Sequence, residues 1–107
     1  MNNIKILVVE PNKEPYEKII KNTLDTIYGL VYYPYQQIEI DKNVYLIYSK
    51  EAESNNFPIC RKLKELKIYS NFVVIKKENN KFVSLNDMEL KKYIKMFQLK
   101  DKIQITI

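Results

Sequence analysis

The stretch Ile4-Lys5-Ile6-Leu7-Val8-Val9-Glu10-Pro11-Asn12-Lys13-Glu14-Pro15-Tyr16 decides how the chain begins its fold. Residues 4–9 are apolar and mostly β-branched, broken only by Lys5. A run of this kind closed by proline is typical of a buried strand rather than a helix. Because each proline fixes φ and lacks an N–H donor, residues 10–15 are predicted to turn and lead into a second strand.

Two later segments and the end of the chain carry strand signals. The clearest is a hairpin with arms 37–40 and 44–48 around Asp41-Lys42-Asn43, where an Asn in last position suits positive φ. The run 68–75 predicts a further strand, and the alternation at 104–107 predicts a final edge strand. Because natural proteins pair or cover such edges, we expect a homo-oligomer or a tail paired within the chain.

Three segments are predicted to be helical. Residues 23–28 are apolar at helical spacing, and Gly29 is expected to close them as a left-handed C-cap. Pro58–Leu66 suits a helix that begins with proline, and the strongest helix covers about 86–98. The chain is therefore predicted to be a single α+β domain over 1–107, with a mixed or antiparallel sheet of about five strands and two or three helices.

Several residue types that catalysis uses are rare or missing. The chain has no His, which excludes most zinc sites and His-based catalysis, and its one cysteine, Cys60, excludes an internal disulfide. Its one glycine, Gly29, argues against a Gly-rich phosphate loop. We therefore expect a protein that is not an enzyme and uses no cofactor or metal. No leader-like or 18-residue apolar run occurs, so we expect no membrane partner and a place in the cytoplasm.

Charged groups in two parts of the chain are the first candidate binding residues. The net charge of +5 weakly favours an anionic partner. Arg61 is the lone guanidinium, the natural reader of phosphate or carboxylate, and a helix begun at Pro58 would aim free N–H groups at the same anion. The alternative is a structural ion pair of Arg61 with Glu10 or Glu65. Glu10 and Lys13 form a second candidate at a strand end, or else a solvated turn.

Tyrosines supply the third candidate. Six of the nine tyrosines cluster between residues 28 and 48, more than a core of this size encloses with every hydroxyl bonded. Tyr33, Tyr35 and Tyr45 are the candidate ligand-binding members. Rings beside cations stack bases in single-strand binders, and tyrosine is equally enriched at protein interfaces.

The opening motif also carries a family resemblance. Leu7 to Tyr16, Leu-Val-Val-Glu-Pro-Asn-Lys-Glu-Pro-Tyr, resembles the start of a bacterial and phage family known only as a domain of unknown function, with Asn12 where Gly is usual. The resemblance spans about residues 4–97 and includes Tyr33-Pro34, Pro58 with Arg61, 72–75, 82–85, Lys92-Tyr93 and Phe97. It implies a protein of phages and mobile elements, and no known activity.

The resemblance and the residues together lead to one functional hypothesis with alternatives. The first expectation is a phage or mobile-element protein acting in counter-defence, which sequesters a nucleotide-like anionic small molecule. One alternative is an inhibitor that binds a host defence protein, as an anti-CRISPR-type protein does. The other is an accessory nucleic-acid binder, which a steep loss of affinity with salt would reveal.

Overall fold

The structure is a computed structural model that describes residues 2–99. Within these residues the chain forms eight strands and two helices, arranged as four hairpins with one helix after the first hairpin and one after the last. The elements are β1 (Asn3–Val9), β2 (Tyr16–Lys21), α1 (Leu24–Tyr28), β3 (Tyr35–Asp41), β4 (Val44–Ser49), β5 (Ile59–Leu63), β6 (Leu66–Tyr69), β7 (Phe72–Glu78), β8 (Lys81–Val83) and α2 (Asp87–Met96).

One antiparallel sheet forms the body of the molecule. Its strands lie in the order β2-β1-β7-β4-β3, and β8 pairs with the part of β7 that extends beyond β1. Strands β5 and β6 form a separate hairpin. Phe72–Ile75 in β7 are fully buried, because this strand has a neighbour on each side and a layer over each face. An unbroken apolar run is what such a strand requires.

The two faces of the sheet carry different layers. On the first, which we call the helix face, Leu7, Leu46 and Val74 pack against Tyr93 and Phe97 at and beyond the end of α2, and the β5–β6 hairpin adds to this layer. On the second, the loop face, β1 and β7 pack against Ile27 of α1 and Val31. Residues of β1 alternate between the faces, so the prediction that 4–9 form a buried strand is confirmed.

The predicted fold class, α+β with about five strands and two or three helices, is wrong, because the described chain is mainly antiparallel β. The largest error is Pro58–Leu66, which forms a hairpin and not a helix. Leu63 pairs directly with Leu66 across a two-residue loop in which Lys64 has φ 55°. Two apolar residues three apart meet on one face of a helix, and they also meet at the mouth of a two-residue hairpin. The spacing alone does not distinguish the two.

The remaining predictions concern individual turns and strand boundaries. Asn43 has φ 68°, as the hairpin prediction requires. Gly29 has φ −66°, so the predicted left-handed cap is wrong. The predicted strand 68–75 is divided by Ser70 at φ 68° into β6 and β7. The predicted strand 104–107, and the association inferred from it, lie outside the described residues.

Candidate functional site

Arg61 lies on β5, beneath the turn that follows β1. Its Nε donates to the carbonyl oxygen of Phe97 over 2.6 Å, and its Nη2 donates to the carbonyl oxygen of Lys13 over 2.6 Å. Its Nη1 donates to the carbonyl oxygens of Cys60, at 2.7 Å, and of Glu10, at 3.4 Å. The guanidinium therefore holds together the opening turn, β5 and the end of α2 through their main chains.

This geometry differs from both expectations for Arg61. No helix begins at Pro58, so no helix N-terminus faces an anion beside it. Arg61 forms no salt bridge with Glu10, Glu65 or any other carboxylate among residues 2–99. A guanidinium has five N–H donors, and four carbonyl oxygens already take most of them. These contacts give Arg61 a structural role, and we call its hydrogen bonds to the four carbonyl oxygens the clamp.

The turn itself carries an ordered carboxylate. Glu10 accepts a hydrogen bond from the Tyr16 hydroxyl, at 2.7 Å, and its other oxygen lies 3.3 Å from the ammonium of Lys13. The Tyr16 bond is the main cause that lowers the pKa of Glu10, and the same bond raises the pKa of Tyr16 to about 12. Glu10 is consequently a weak base. Asn12 has φ 62°, so asparagine does adopt the left-handed conformation in this turn.

Cys60 packs in the core beside this clamp. It is 7% exposed, and burial raises the pKa of its thiol to about 11. A protonated, buried thiol is a poor nucleophile. In the described part of the chain, no three His, Cys, Asp or Glu side chains come together as metal ligands. No helix within residues 2–99 is long and apolar enough to cross a membrane.

Three tyrosines meet on the loop face, and we call Tyr28, Tyr33 and Tyr35 the tyrosine cluster. The rings of Tyr28 and Tyr35 stack with centroids 4.2 Å apart and planes at 14°. Tyr33 meets Tyr35 edge to face, with centroids 5.4 Å apart. Tyr33 is 71% exposed and its two partners are half-buried. Tyr32, the next tyrosine along the chain after Tyr28, contacts Phe57 instead.

The predicted site residues therefore fall into separate places. Glu10, Lys13 and Arg61 meet at the opening turn, and Tyr33 and Tyr35 meet on the loop face. Tyr45 contacts neither group through its ring; the ammonium of Lys77 lies 4.7 Å from its centroid. Within residues 2–99 no hydrogen bond, ion pair or ring contact joins the two groups, so they do not form the single phosphate and ring site that the sequence suggested.

A groove that the sequence did not reveal opens on the helix face, beside the edge strand β3. Its volume is about 640 Å³. Apolar side chains from β3, both arms of the small hairpin and α2 line it, namely Ile38, Ile40, Leu63, Leu66 and Met96. Because these residues come from four elements, no single sequence window identifies them.

An ion pair fixes the wall of this groove. Asp41, at the end of β3, accepts hydrogen bonds from the Lys92 ammonium at 2.8 Å and from the Tyr93 hydroxyl at 2.6 Å. The contact with Lys92, which has the larger effect, and the contact with Tyr93 both lower the pKa of Asp41. Burial and the Asp41 carboxylate raise the pKa of Tyr93. The end of β3 is thus tied to α2, while no strand of the described residues pairs with the outer flank of β3.

The fold and these surfaces define a class: a small antiparallel β protein whose single main sheet is covered on both faces. The chain belongs to the family described as a domain of unknown function, DUF3846, whose model matches residues 4–98. The predicted resemblance to a family of unknown function is thereby confirmed. Comparison with curated proteins and with solved structures finds no match.

Proposed function

We propose that this chain is a non-enzymatic binding protein that holds a partner protein through its tyrosine cluster. The observation that carries the proposal is the exposure of Tyr33, 71%, at the edge of a stacked ring pair. Burial of this large exposed ring against a partner removes apolar surface from water and so contributes favourable binding free energy. Tyrosine also loses little side-chain entropy when it binds, which is why it is frequent among residues that dominate interface energies.

Neighbouring exposed side chains support the same surface. Leu24 on α1 is 52% exposed, and Tyr32, next to Tyr33, is 39% exposed. Both belong to the segment that runs from α1 to β3. Apolar and aromatic groups of this kind within one short segment are suited to the centre of a protein interface. A host defence protein is the partner class we propose, on the basis of the resemblance to mobile-element proteins.

A nucleotide-like small molecule is the second candidate, and one observation favours it. The Lys77 ammonium lies 4.7 Å from the Tyr45 centroid and 5.7 Å from that of Phe82, so a cation and two rings are adjacent. Rings and cations together bind bases and phosphates. The planar fork expected from Arg61 is engaged with carbonyl oxygens elsewhere. The contacts therefore support a protein partner better than a phosphate-bearing one.

The test compares Tyr33→Ala with Met88→Ala, a control that truncates another exposed apolar side chain, 81% exposed on α2. Each protein is used to capture partners from host lysate, and a captured protein is purified and its Kd measured by calorimetry. Tyr33→Ala is expected to weaken binding at least about tenfold, about 1.4 kcal/mol, and Met88→Ala to leave it unchanged. Equal affinities for both variants would contradict the proposal.

A parallel thermal-shift panel with cyclic and linear nucleotides tests the second candidate. A ligand that binds the native state raises the melting temperature. If a nucleotide stabilises the chain and Lys77→Ala removes that effect while Tyr33→Ala does not, the small-molecule function replaces the protein-partner function.

A further inference from the structure

Within residues 2–99, strand β3 is an edge of the main sheet, and no strand of that part of the chain pairs with its outer flank. It pairs with β4 on one side and ends the strand order on the other. The Lys50 N–H donates to the Pro34 carbonyl over 2.8 Å, which sets the alternation along the pair. The main-chain N–H and C=O groups of Gln36 and Ile38 consequently point toward β4. Those of Tyr35, Gln37 and Glu39 point outward, away from the sheet.

The two edges of the sheet differ in how well they are protected against pairing with a strand of another chain. The opposite edge, β2, carries Lys18 and Lys21, and its Glu17 pairs with Lys5 at 3.5 Å. Lysines on an edge discourage strand addition. Strand β3, with the sequence Tyr-Gln-Gln-Ile-Glu-Ile-Asp, contains no lysine and no proline, and its irregularity is confined to the end between Glu39 and Asp41. The regular part of β3 is therefore open to another strand.

We propose that β3 pairs antiparallel with β3 of a second copy of this chain, about a two-fold axis at Ile38. In this register Gln37 lies opposite Glu39 of the partner subunit, and each such pair exchanges two main-chain hydrogen bonds, because both residues point outward. Ile38 lies opposite the partner's Ile38 in a non-hydrogen-bonded pair, where side chains approach most closely. The two sheets join into one.

Side-chain chemistry favours this register. Ile38 is 39% exposed and lines the apolar groove, so contact with the partner's Ile38 removes apolar surface of both copies from water. The Gln37 amide donates to the carboxylate of the partner's Glu39, whereas an axis at Glu39 would place two carboxylates opposite each other. The strand is thus complementary to itself, as a two-fold interface requires.

The dimer goes beyond the proposed function and has a consequence for it. A two-fold axis perpendicular to the sheet keeps the loop faces of both copies on the same side. Two tyrosine clusters then lie on one surface of a continuous sheet. Such a protein would bind bivalently to a partner that itself carries two matching sites, which increases apparent affinity without any new contact.

Sedimentation velocity over a concentration series tests the dimer, with Ile38→Lys as the variant and Ile19→Lys as its control. Ile19 is an exposed isoleucine, 64%, on the opposite edge strand β2. The unaltered chain and Ile19→Lys are expected to sediment as dimers, and Ile38→Lys as a folded monomer with the circular dichroism spectrum of the unaltered chain. A monomer at every concentration of the unaltered chain, or a dimer of Ile38→Lys, would overturn the proposal.

A cysteine trap tests the register. Opposed Cα atoms in a non-hydrogen-bonded pair lie about 4.5 Å apart, within disulfide range. Mild oxidation of Ile38→Cys should give a covalent dimer several-fold faster than Ile19→Cys, and the buried Cys60 should not interfere. Equal rates refute the register. A third chain, lacking residues 100–107, should remain dimeric; its conversion to a monomer would assign the association to that segment and refute the β3 interface.

Discussion

The guanidinium Nε of Arg61 lies 2.6 Å from the carbonyl oxygen of Phe97, the residue that caps the C-terminal end of α2. The last carbonyls of a helix have no partner within the helix, and a cation beside them also opposes the negative end of the helix dipole. The same side chain reaches Lys13 in the opening turn. One residue therefore connects three segments that are distant in sequence.

Replacing Arg61 should lower stability. Arg61→Ala removes charge-assisted hydrogen bonds to carbonyls in all three segments and is expected to reduce the free energy of unfolding by about 2–4 kcal/mol. Arg61→Lys keeps the charge, but an ammonium does not reproduce the planar fork, so it should recover less than half of the loss. Urea unfolding followed by circular dichroism measures both values.

Lys67→Ala is the matched control for Arg61, because Lys67 is an exposed cation on β6, the other arm of the same hairpin. It should change the free energy of unfolding by less than about 0.5 kcal/mol. An Arg61→Ala variant as stable as Lys67→Ala would show that the clamp adds nothing to stability.

Val8→Asp should unfold the domain. Val8 is 1% exposed on the loop face of β1, opposite Tyr16 on β2 and Val73 on β7. A carboxylate there has no partner and loses its hydration, so we expect a loss above about 4 kcal/mol. Ile19→Asp, at an exposed position on β2, should melt within a few degrees of the unaltered chain. Near-ultraviolet circular dichroism and a melting curve distinguish the two, and a folded Val8→Asp protein would contradict the prediction.

The pair of Glu10 and Tyr16 should make stability depend on pH at both ends of the scale. The folded pKa of Glu10 lies below its ordinary 4.5, so its contribution is present above pH 4.5 and is lost as pH falls through the lowered value. The folded pKa of Tyr16 is raised to about 12, so its contribution is present below its ordinary value of 10 and is lost as pH rises through 12.

Tyr16→Phe is the variant that tests this pair. It removes the largest cause of the Glu10 shift, so its melting temperature should fall less steeply than that of the parent below pH 4.5 and above pH 10. Parallel melting profiles of the two proteins across pH 3–11 would mean that the bond between Tyr16 and Glu10 has no energetic effect.

Local signals were sufficient for the parts of the fold that local physics determines. The run Ile4–Val9 was predictable because a buried strand requires apolar, β-branched residues, and the turn at Asn43 because positive φ favours asparagine. The segment Pro58–Leu66 was not, because its apolar spacing fits a helix turn and a two-residue hairpin equally well. Arg61 was recognised as unusual, but its role depends on Lys13 and Phe97, which only the tertiary fold brings to it.

The candidate surfaces were predictable to different extents. Clustering of tyrosines along the sequence indicated a ring-rich surface, and Tyr33 and Tyr35 do meet. Tyr45 shares the sheet with them, but strand register places it opposite Glu39, away from the cluster. The groove was not predictable, because Ile38, Leu63 and Met96 become neighbours only when the sheet, the small hairpin and α2 have packed.

The position of β7 between β1 and β4 has a consequence for synthesis of the chain. Val73 is paired with Val8 on one side and with Ile47 on the other, so one late strand joins two hairpins made much earlier. Until Phe72–Ile75 leave the ribosome, the inner edges of β1 and β4 have no partner in the sheet. Unpaired edges of this kind are the surfaces through which nascent chains aggregate. The nascent protein is thus most exposed to misassembly just before its central strand emerges from the ribosome.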